Sequence, residues 1–433
     1  MSPDDPQNLL AAAERRIATL ERRLAAKSRE VSDIHQSRAW ALVTGLRSWK
    51  LRVVDPLLAL FGIAWPRRRP IPAGAPIAIE PASGDQYDVI CLSLCEWDAR
   101  FQRPQQLMSR FAAAGHRVFY VRHELRRDGP SWSAIVKMKN VYEITLREDL
   151  QFEGLDALRR DAAIGAAAIV VQLPLWWPLA RRAREQFGWP VLYDCMDLHA
   201  AFTTVRRSMV AHEPEMLAQA DVVIASSAAL EARALRHRRD VLMLRNACDF
   251  EHFAQTPRAK NARPTIGYYG AISDWFDSTL VAELAARRPE WDFLLIGSTY
   301  GGNIARLATL PNVSLIGEEP YESLPDWLGS FDAAIIPFKR TALTEATNPV
   351  KVYEILAGGK AVVSVPIPEV AMLAPLVRLA STAEEFEREL LAALNEGDEA
   401  ADQRRAFARE QTWERRFEAL ASATAAAVSR RAC

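Results

Sequence analysis

The chain has 433 residues, 49% of them hydrophobic and 25% charged, so it is too long for one ordinary core and too apolar to be disordered. Lysine plus arginine and aspartate plus glutamate each number 54, and this balance gives no overall charge excess that would favour a nucleic-acid partner. We therefore expect two globular domains with an N-terminal appendage, and no nucleic acid among the partners.

Residues 1–49 form the first predicted element, a helical coiled-coil segment. Apolar residues recur at two seam positions of a heptad pattern from 8 to 36, which predicts a short coiled coil. Lys27 occupies one seam position and weakens this pattern, so a single amphipathic helix packed on the body is the alternative. The pattern leaves open whether the chain forms a homo-oligomer through 8–36.

An amphipathic segment and a linker are predicted over 50–86. Residues 50–69 contain an apolar stretch too short to span a bilayer and end in a run of arginines, which suits peripheral contact with a membrane surface. Asp55 and Pro56 interrupt the apolar stretch, so a helix packed on the body is the alternative. The Pro- and Ala-rich residues 70–83 are typical of a linker.

The sequence has no pattern of a membrane-spanning helix. No uncharged apolar run reaches the length of about 18 residues that such a helix needs, and no apolar stretch near the start resembles a secretory signal. The five cysteines form no paired pattern, which favours reduced thiols. We expect a cytoplasmic protein, with 50–69 as a possible peripheral contact on the inner face of the cytoplasmic membrane.

From Tyr87 onward, strands and helices alternate, which predicts a Rossmann-like N-terminal domain over 87–255. Its first unit is a buried strand over 87–94, a helix that opens at Pro104 and a strand over 118–121. Further strands are predicted over 168–172, 190–193, 221–225 and 241–246. All have the continuous apolar pattern of parallel strands.

A second alternating series predicts a Rossmann-like C-terminal domain over 256–433. Its strands are predicted over 265–270, 293–296, 313–316, 333–337 and 361–365. We expect the last helix to cross back to the N-terminal domain. Ligands of such sheets bind beyond the carboxyl ends of the strands, so the fold class is α/β with two Rossmann-like domains and a site in the cleft between them.

The start of one helix in the second domain carries the strongest chemical signal. Asn348 suits a helix N-cap and Pro349 the first helical position, and the helix from Val350 to Ala357 should end at Gly358. Lys351 then lies in the first turn, where the helix dipole disfavours a cation unless an anion is bound. The sequence therefore predicts a phosphate site at Asn348, Pro349, Val350 and Lys351.

Glu354 lies three residues after Lys351, on the same face of this helix. Its carboxylate has two interpretations. It hydrogen-bonds a ribose diol, or it forms an ion pair with Lys351 and nothing more.

The segment Asn348-Pro-Val-Lys-Val-Tyr-Glu-Ile-Leu-Ala-Gly-Gly-Lys-Ala-Val-Val-Ser364 resembles the donor-binding signature of GT-B glycosyltransferases of the GT4-like group. Further matching segments lie at 101–107, 193–197, 244–249 and 412–413. The resemblance implies a GT-B fold, a nucleotide sugar bound at this helix, Glu354 on the ribose and Lys351 near the diphosphate. It departs at Ala346, where an acidic residue is usual, although Glu345 precedes it.

Two loops of the second domain are further candidates for donor binding. Gly270 follows the first strand, where a small residue allows close approach of the backbone to phosphate, and Ser273 or Asp274 offers the alternative of capping the next helix. Tyr321 follows another strand, in a loop that resembles the one that receives the base. An ordinary turn is the alternative there.

Two loops of the first domain are candidates for the acceptor and the transferred sugar. Trp97 and Arg103 follow the first strand, and Arg103 either meets an anion or pairs with Glu96 or Asp98 on the surface. Asp194 and Asp197 lie at the end of another strand, where two carboxylates indicate a site, unless Asp197 caps the next helix. The catalytic candidates are therefore Asp197, Asp194 and Lys351.

These features predict transfer of a hexose-type sugar from a nucleoside diphosphate to a glycan or lipid-linked acceptor, in cell-surface polysaccharide synthesis. The resemblance implies retention at the anomeric carbon. The sequence has no Asp-x-Asp and no histidine spacing suited to a metal, so we expect neither a metal nor a cofactor. The alternatives are a sugar-nucleotide epimerase of the same fold and a non-catalytic coiled-coil scaffold with a degenerate transferase body.

Overall fold

The computed structural model describes residues 79–81, 86–203, 205–257 and 261–432. The predicted coiled coil at 8–36 and the predicted membrane segment at 50–69 lie outside these residues and stay predictions. None of the helices in the described ranges combines the length and the apolar character that crossing a membrane requires.

The first domain contains a sheet of eight strands within the described ranges. These are β1 (Asp88–Leu92), β2 (Val118–Val121), β3 (Trp132–Met138), β4 (Val141–Leu146), β5 (Ala167–Val171), β6 (Val191–Cys195), β7 (Val222–Ala225) and β8 (Leu242–Met243). Their spatial order is β3-β4-β2-β1-β5-β6-β7-β8, and only β3 runs antiparallel to its neighbour. Its helices are α1 (Arg103–Ala113), α2 (Gln151–Asp161), α3 (Trp177–Phe187), α4 (Arg207–Val210), α5 (Glu213–Gln219) and α6 (Ala228–Ala234). Helix α7 (Phe250–Ala254) follows in the chain and packs into the core of the second domain.

The hairpin of β3 and β4 is a correction to the expectation that every strand of this sheet is parallel. Strand β4 is buried along its whole length, yet it carries Glu143, which breaks the apolar pattern of a buried strand. The carboxylate is compensated, since it accepts a hydrogen bond from the Trp97 amide at 2.8 Å and lies 3.0 Å from the ammonium of Lys137. The sequence pattern did not indicate this strand, because a charged residue is not expected in a buried strand unless its charge is paired.

The second domain contains a six-stranded parallel sheet within the described ranges. Its strands are β9 (Thr265–Tyr269), β10 (Asp292–Ile296), β11 (Val313–Gly317), β12 (Ala333–Ile336), β13 (Ala361–Ser364) and β14 (Arg378–Leu379), in the order β11-β10-β9-β12-β13-β14. Its helices are α8 (Ser278–Arg287), α9 (Leu324–Gly329), α10 (Ala342–Glu345), α11 (Val350–Ala357), α12 (Pro368–Ala371), α13 (Ala383–Leu394), α14 (Asp398–Arg409) and α15 (Trp413–Ala432). The strand order reverses between β9 and β12, and ligands of doubly wound sheets bind at such a point.

Alternate residues of the central strands pack on opposite faces of the first sheet. Ile90 and Leu92 lie in one hydrophobic cluster, whereas Val89 and Cys91 lie in another. The second cluster includes residues of α15, and the ring of Phe417 in α15 meets that of Phe111 in α1 edge to face at 5.0 Å. The last helix of the chain thus packs on the first domain, where it covers one face of the sheet.

Candidate active site in the interdomain cleft

A cleft of about 750 Å³ lies at the carboxyl ends of strands from both sheets. Its walls include most of the residues singled out in the sequence, namely Trp97, Arg103, Asp197, Gly270, Tyr321, Asn348, Pro349, Val350, Lys351 and Glu354. Asp194 is the exception, because it lies beneath the wall and contacts Arg103. The fold therefore brings candidates from five separate stretches of sequence to one cavity.

Helix α11 spans Val350–Ala357, as the sequence predicts, but its cap differs from the prediction. The N-cap residue is Pro349, and Asn348 lies one residue before it with its side chain turned to other partners. The Asn348 side chain accepts a hydrogen bond from the Asn246 amide at 2.9 Å and donates to Glu369 at 2.9 Å. Asn348 therefore ties the start of α11 to the first domain and does not cap the helix.

Lys351 lies in the first turn of α11, at the point where the order of the second sheet reverses. Its Nζ lies 5.3 Å from the ring centroid of Tyr268 in β9 and 4.9 Å from that of Phe338, just after β12. Within the described residues it has no hydrogen bond and no ion pair. Burial lowers the pKa of Lys351 from 10.5 to about 8, while the charge of Glu354 raises it and that of Arg100 lowers it. An ammonium held on aromatic faces at a helix N-terminus is suited to binding a phosphate.

Gly270 lies directly after β9 and contacts Lys351. Its φ of 128° is a conformation that L side chains rarely adopt, and a Cβ at this position would lie 2.9 Å from Cε of Lys351. The backbone therefore favours glycine at this position, and a larger residue would displace the end of the Lys351 side chain. The alternative role for this loop is wrong, because helix α8 is capped by Asp277 and not by Ser273 or Asp274.

Glu354 lies one turn further along α11, buried against the second domain. Its Oε2 accepts a hydrogen bond from the Tyr269 hydroxyl at 3.0 Å, and burial raises the pKa of Glu354 from 4.5 to about 7. The simple ion pair with Lys351 does not form among the described residues, where no ion pair joins the two side chains. Glu354 also lines the cleft, and its other carboxylate oxygen has no hydrogen bond to a described residue.

Tyr321 lies in the loop after β11, against the first domain. Its ring stacks on His252 at a centroid distance of 4.7 Å, and its hydroxyl accepts a hydrogen bond from Gln106 of α1 at 2.9 Å. Burial raises the pKa of the Tyr321 hydroxyl well above its usual range, so this group stays protonated. The loop is thus held by both domains and presents a fixed aromatic surface to the cleft.

Arg103 and Asp194 form a buried ion pair behind the first-domain wall. The closest contact is 2.7 Å, and the two side chains are 3% and 2% exposed. Arg103 also donates to the Leu244 carbonyl at 2.8 Å. A surface pair with Glu96 or Asp98 is wrong, because those carboxylates pair with other cations, and Arg103 has no unpaired charge to offer an anion.

Asp197 lies after β6 and faces the cleft without a side-chain hydrogen bond or ion pair to any described residue. The helix-capping alternative is wrong, because the short 3-10 helix over His199–Ala201 has Leu198 as its N-cap. Burial raises the pKa of Asp197 to about 7, while the charge of Arg103 lowers it and that of Asp194 raises it. Asp197 is therefore a carboxylate that titrates near neutrality beside a compensated ion pair.

Trp97 forms part of the first-domain wall of the cleft. Its ring packs edge to face on Tyr120 at 5.1 Å and on Phe101 at 6.3 Å, and only 7% of the residue is exposed. Most of the ring is core, and a narrow edge reaches the cleft. Trp97 thus shapes this wall more than it presents a face for stacking.

The structure adds two pairs that bridge the cleft and that the sequence did not indicate. Arg100 of the first domain forms an ion pair of 2.6 Å with Glu318 of the second. The ring of Phe202 meets that of Trp275 edge to face at 5.9 Å. All four residues line the cleft, and their partners are more than 70 residues away in sequence, a distance that no spacing pattern reports.

Ala346, where the sequence departs from the family pattern, does not line the cleft, although Thr344 and Thr347 on either side of it do. Ala346 is buried and its carbonyl accepts a hydrogen bond from the Ser227 hydroxyl at 2.6 Å. Glu345 is partly exposed, pairs with Arg340 at 2.7 Å and is not part of the cleft wall. Over the residues that the structure describes, no group of three or more histidine, cysteine or acidic side chains is arranged to hold a metal ion.

No protein-family model matches the chain. In sequence it is similar to TuaH of Bacillus subtilis strain 168, which is assigned to teichuronic acid biosynthesis as a glycosyltransferase. The two are 26% identical over 211 residues, which cover 43% of this chain and 53% of TuaH. The chain thus spans about half the length of the curated relative it matches.

The fold is similar to that of several solved structures. Sucrose-phosphate synthase of Thermosynechococcus elongatus has a TM-score of 0.63 at 15% identity, over 78% of this chain and 98% of that one. Trehalose 6-phosphate synthase of Burkholderia multivorans has a TM-score of 0.59 at 12% identity, and the match covers 80% of this chain and 100% of that one. HepE of Anabaena, in complex with UDP and glucose, has a TM-score of 0.56 at 12% identity, and the match covers 79% of this chain and 100% of that one. These matches confirm the expected GT-B fold, and the TuaH match confirms the resemblance to glycosyltransferases.

Proposed function

We propose that this chain is a glycosyltransferase that moves a sugar from a nucleoside diphosphate sugar to a hydroxyl of a glycan or lipid-linked acceptor. The observation that carries the proposal is Lys351, a partly buried ammonium at the start of α11 that faces the interdomain cleft and forms no ion pair with a described residue. Such a cation is costly to bury unless a ligand compensates it. A diphosphate provides that compensation.

The donor half of the cleft suits a nucleoside diphosphate. The N–H groups in the first turn of α11 and the Lys351 ammonium would hold the two phosphates, with Gly270 allowing the backbone to approach. Glu354 would accept hydrogen bonds from the ribose hydroxyls, and the loop of Tyr321 would receive the base. As the sugar leaves, negative charge develops on the diphosphate, and each well-placed donor stabilises it by about 2.7–4 kcal/mol.

The transfer itself is proposed to retain the configuration at the anomeric carbon and to need no metal. The bond from the anomeric carbon to the diphosphate oxygen breaks, the acceptor oxygen bonds on the same face, and the acceptor proton passes to the leaving phosphate. Asp197 would accept a hydrogen bond from a sugar hydroxyl and orient the ring. Cationic and amide donors of α11 would do the work that a divalent cation does elsewhere.

The acceptor and the location complete the proposal. TuaH is assigned to teichuronic acid biosynthesis, and a similar role here would be the synthesis of a cell-surface polysaccharide. Residues 50–69 would then keep the enzyme at the inner face of the cytoplasmic membrane, where lipid-linked glycans are accessible. Residues 8–36 would support a homo-oligomer if their heptads form a coiled coil.

The test is to incubate the full-length protein with UDP- and GDP-sugars, with and without oligosaccharide acceptors, in the presence of a chelator. We expect release of the nucleoside diphosphate only when an acceptor is present, and no loss of rate on chelation. Conversion of the donor to a new nucleotide sugar without acceptor would support the epimerase instead. Absence of binding by calorimetry to every UDP- and GDP-sugar would overturn the enzyme hypothesis.

A further inference from the structure

Glu369 is a buried carboxylate that joins the two domains behind the cleft. It lies in α12 of the second domain and is 2% exposed. From the first domain it accepts hydrogen bonds from the Ala228 amide at 2.8 Å and from Nε of Arg245 at 2.8 Å. From the second domain it accepts one from Nδ2 of Asn348 at 2.9 Å. Its two oxygens thus receive donors from three separate stretches of the chain.

The third hydrogen-bond donor, Asn348, connects Glu369 to the start of helix α11. Asn348 lies immediately before the N-cap of α11, and its amide group is held on both sides, by Glu369 and by the Asn246 backbone. The Asn348 carbonyl also accepts a hydrogen bond from Asn246 Nδ2 at 2.6 Å. The two residues after Pro349 are Val350 and Lys351, so a shift of Asn348 moves the first turn of α11.

We infer that Glu369 is a positioning residue, which sets the first turn of α11 and the Lys351 ammonium for the donor diphosphate through Asn348. The inference rests on the proposed function. Glu369 does not line the cleft, and of its three hydrogen-bond partners Asn348 is the one that lines it and adjoins α11. Displacing a phosphate-binding turn by about 1 Å is enough to lower the affinity or the rate substantially.

The hydrogen-bond chemistry at Glu369 makes the inference specific. A carboxylate accepts at both oxygens, whereas a glutamine amide accepts at one end and donates at the other. In Glu369→Gln one of the surrounding N–H donors therefore faces another donor. Exchanging the two groups, in Asn348→Asp with Glu369→Gln, restores a donor opposite an acceptor between these two side chains. Nε of Arg245 donates to the same Glu369 oxygen as Asn348, so it still faces an N–H group in the double variant.

The experiment measures binding of UDP and of GDP to the full-length protein by calorimetry, well below the melting temperature of each variant. Of the two nucleotides, the one that binds the wild type more tightly is carried through the series. We expect Glu369→Gln and Asn348→Asp each to weaken it about ten-fold, and the double variant to recover the part of the loss that is due to the contact between these two side chains. The Michaelis constant of the donor should follow the same order while that of the acceptor stays unchanged. Glu345→Gln is the matched control, because it removes only the partly exposed pair with Arg340.

Each result decides the inference. Unchanged nucleotide affinity in Glu369→Gln, with only a lower melting temperature, would show that Glu369 is structural and would overturn it. If the losses of nucleotide affinity in the two single variants add up in the double variant, the inference is also overturned, because the contact between Glu369 and Asn348 would then not affect binding. If Glu369→Gln does not fold, the comparison of Asn348→Asp with the double variant remains. Failure of the wild type to bind either nucleotide would instead overturn the proposed function and the inference with it.

Discussion

The guanidinium of Arg103 donates to both carboxylate oxygens of Asp194, at 2.7 Å and 3.0 Å, in a pair that is almost wholly buried. Arg103 opens helix α1 and Asp194 lies in β6, so the pair fastens the helix to the sheet directly behind the acceptor wall. Asp197 lies in the loop that follows. The pair keeps the net charge behind that residue near zero, and burial then dominates its pKa.

The first prediction concerns the stability that this pair provides. Asp194→Asn should lower the free energy of unfolding by about 3–5 kcal/mol, because it leaves a buried guanidinium without a counter-charge. Urea unfolding at neutral pH measures the change. The matched control is Glu215→Gln, which breaks the exposed pair with Arg181 and should cost at most about 1 kcal/mol. Equal effects of the two substitutions would contradict the view that burial determines the cost.

The second prediction uses the lowered pKa of Lys351. The free protein keeps this lysine charged below its pKa of about 8, so the affinity for UDP should be highest there. Above that pH the ammonium deprotonates, and the affinity should fall about ten-fold between roughly pH 7.5 and 9.5. Lys351→Ala should bind weakly with no pH dependence in this range. Calorimetry at several pH values measures both constants.

Lys351→Arg provides the control for this pH dependence, because a guanidinium stays charged throughout the range. Its affinity should not fall above pH 8.

The lowered pKa of Lys351 also affects the stability of the fold. A lowered pKa means that the charged form is disfavoured in the fold, so the cost is fully present below pH 8 and fades as pH rises toward the unfolded value. Lys351→Met should therefore raise the free energy of unfolding at pH 7, and a decrease would argue against burial of the charge.

The elements that the sequence predicts well are those whose signal is local. Helix α11 has the expected bounds because a proline before it and a glycine after it are sufficient to begin and end a helix. Strand β2 also has the expected bounds, since its residues are all apolar and wholly buried. The position of Gly270 follows equally from a single strand end. Local capping and periodicity thus locate the second-domain wall of the cleft.

The features that the sequence does not predict depend on partners far away in the chain. Arg103 was expected to meet an anion or a nearby acid, but its partner Asp194 is 91 residues away. Asparagine is a favoured N-cap residue, yet the side chain of Asn348 hydrogen-bonds to Glu369 and Asn246 and does not cap α11. A helix cap contributes about 1 kcal/mol, and several buried hydrogen bonds outweigh it. Tertiary contacts therefore reassign residues whose local preference is weak.

The third prediction tests the contact between Gly270 and Lys351. Gly270→Ala places a Cβ 2.9 Å from Cε of Lys351, on a backbone with a φ of 128° that alanine tolerates poorly. We expect a loss of about 1–3 kcal/mol in the free energy of unfolding and at least a several-fold loss of UDP affinity. Gly188→Ala is the control, because it also has a positive φ but lies at the end of α3, away from the cleft. It should lower stability without affecting UDP binding, and equal binding losses would contradict the proposed contact.

The fourth prediction separates stability from activity at Asp197. Its folded pKa of about 7 lies above the usual 3.8, so the fold disfavours the charged form and stability is lost as pH rises between these values. Asp197→Asn should therefore be more stable than the wild type at pH 8, by roughly 1–3 kcal/mol, and similar to it near pH 3.5. Thermal unfolding at both pH values measures the difference.

The same substitution should lower kcat, because an asparagine side chain lacks the carboxylate that orients the sugar. We expect a loss of about 100-fold, with UDP affinity changed less than about two-fold, since Asp197 lies on the acceptor side of the cleft. The wild-type rate should also fall as pH drops through 7, where the carboxylate is protonated. The rate of Asp197→Asn should not show this fall. A variant with wild-type kcat would remove Asp197 from the mechanism.

The fifth prediction distinguishes ribose binding by Glu354 from phosphate binding by Lys351. Glu354→Gln replaces one hydrogen-bond acceptor of the ionised carboxylate with a donor, so UDP affinity should fall about 10-fold or more at pH 8. Affinity for inorganic pyrophosphate, which has no ribose, should stay within about two-fold. Lys351→Ala should weaken both ligands.

A milder variant tests how the Glu354 carboxylate is held. Tyr269→Phe removes only the hydroxyl that donates to Oε2 at 3.0 Å, so UDP affinity should fall less than in Glu354→Gln and pyrophosphate affinity should not change. Calorimetric titrations with both ligands compare the three variants. Equal losses for UDP and pyrophosphate in Glu354→Gln would mean that Glu354 acts on the phosphates through Lys351, because a ribose contact has no means of weakening a ligand that lacks the sugar.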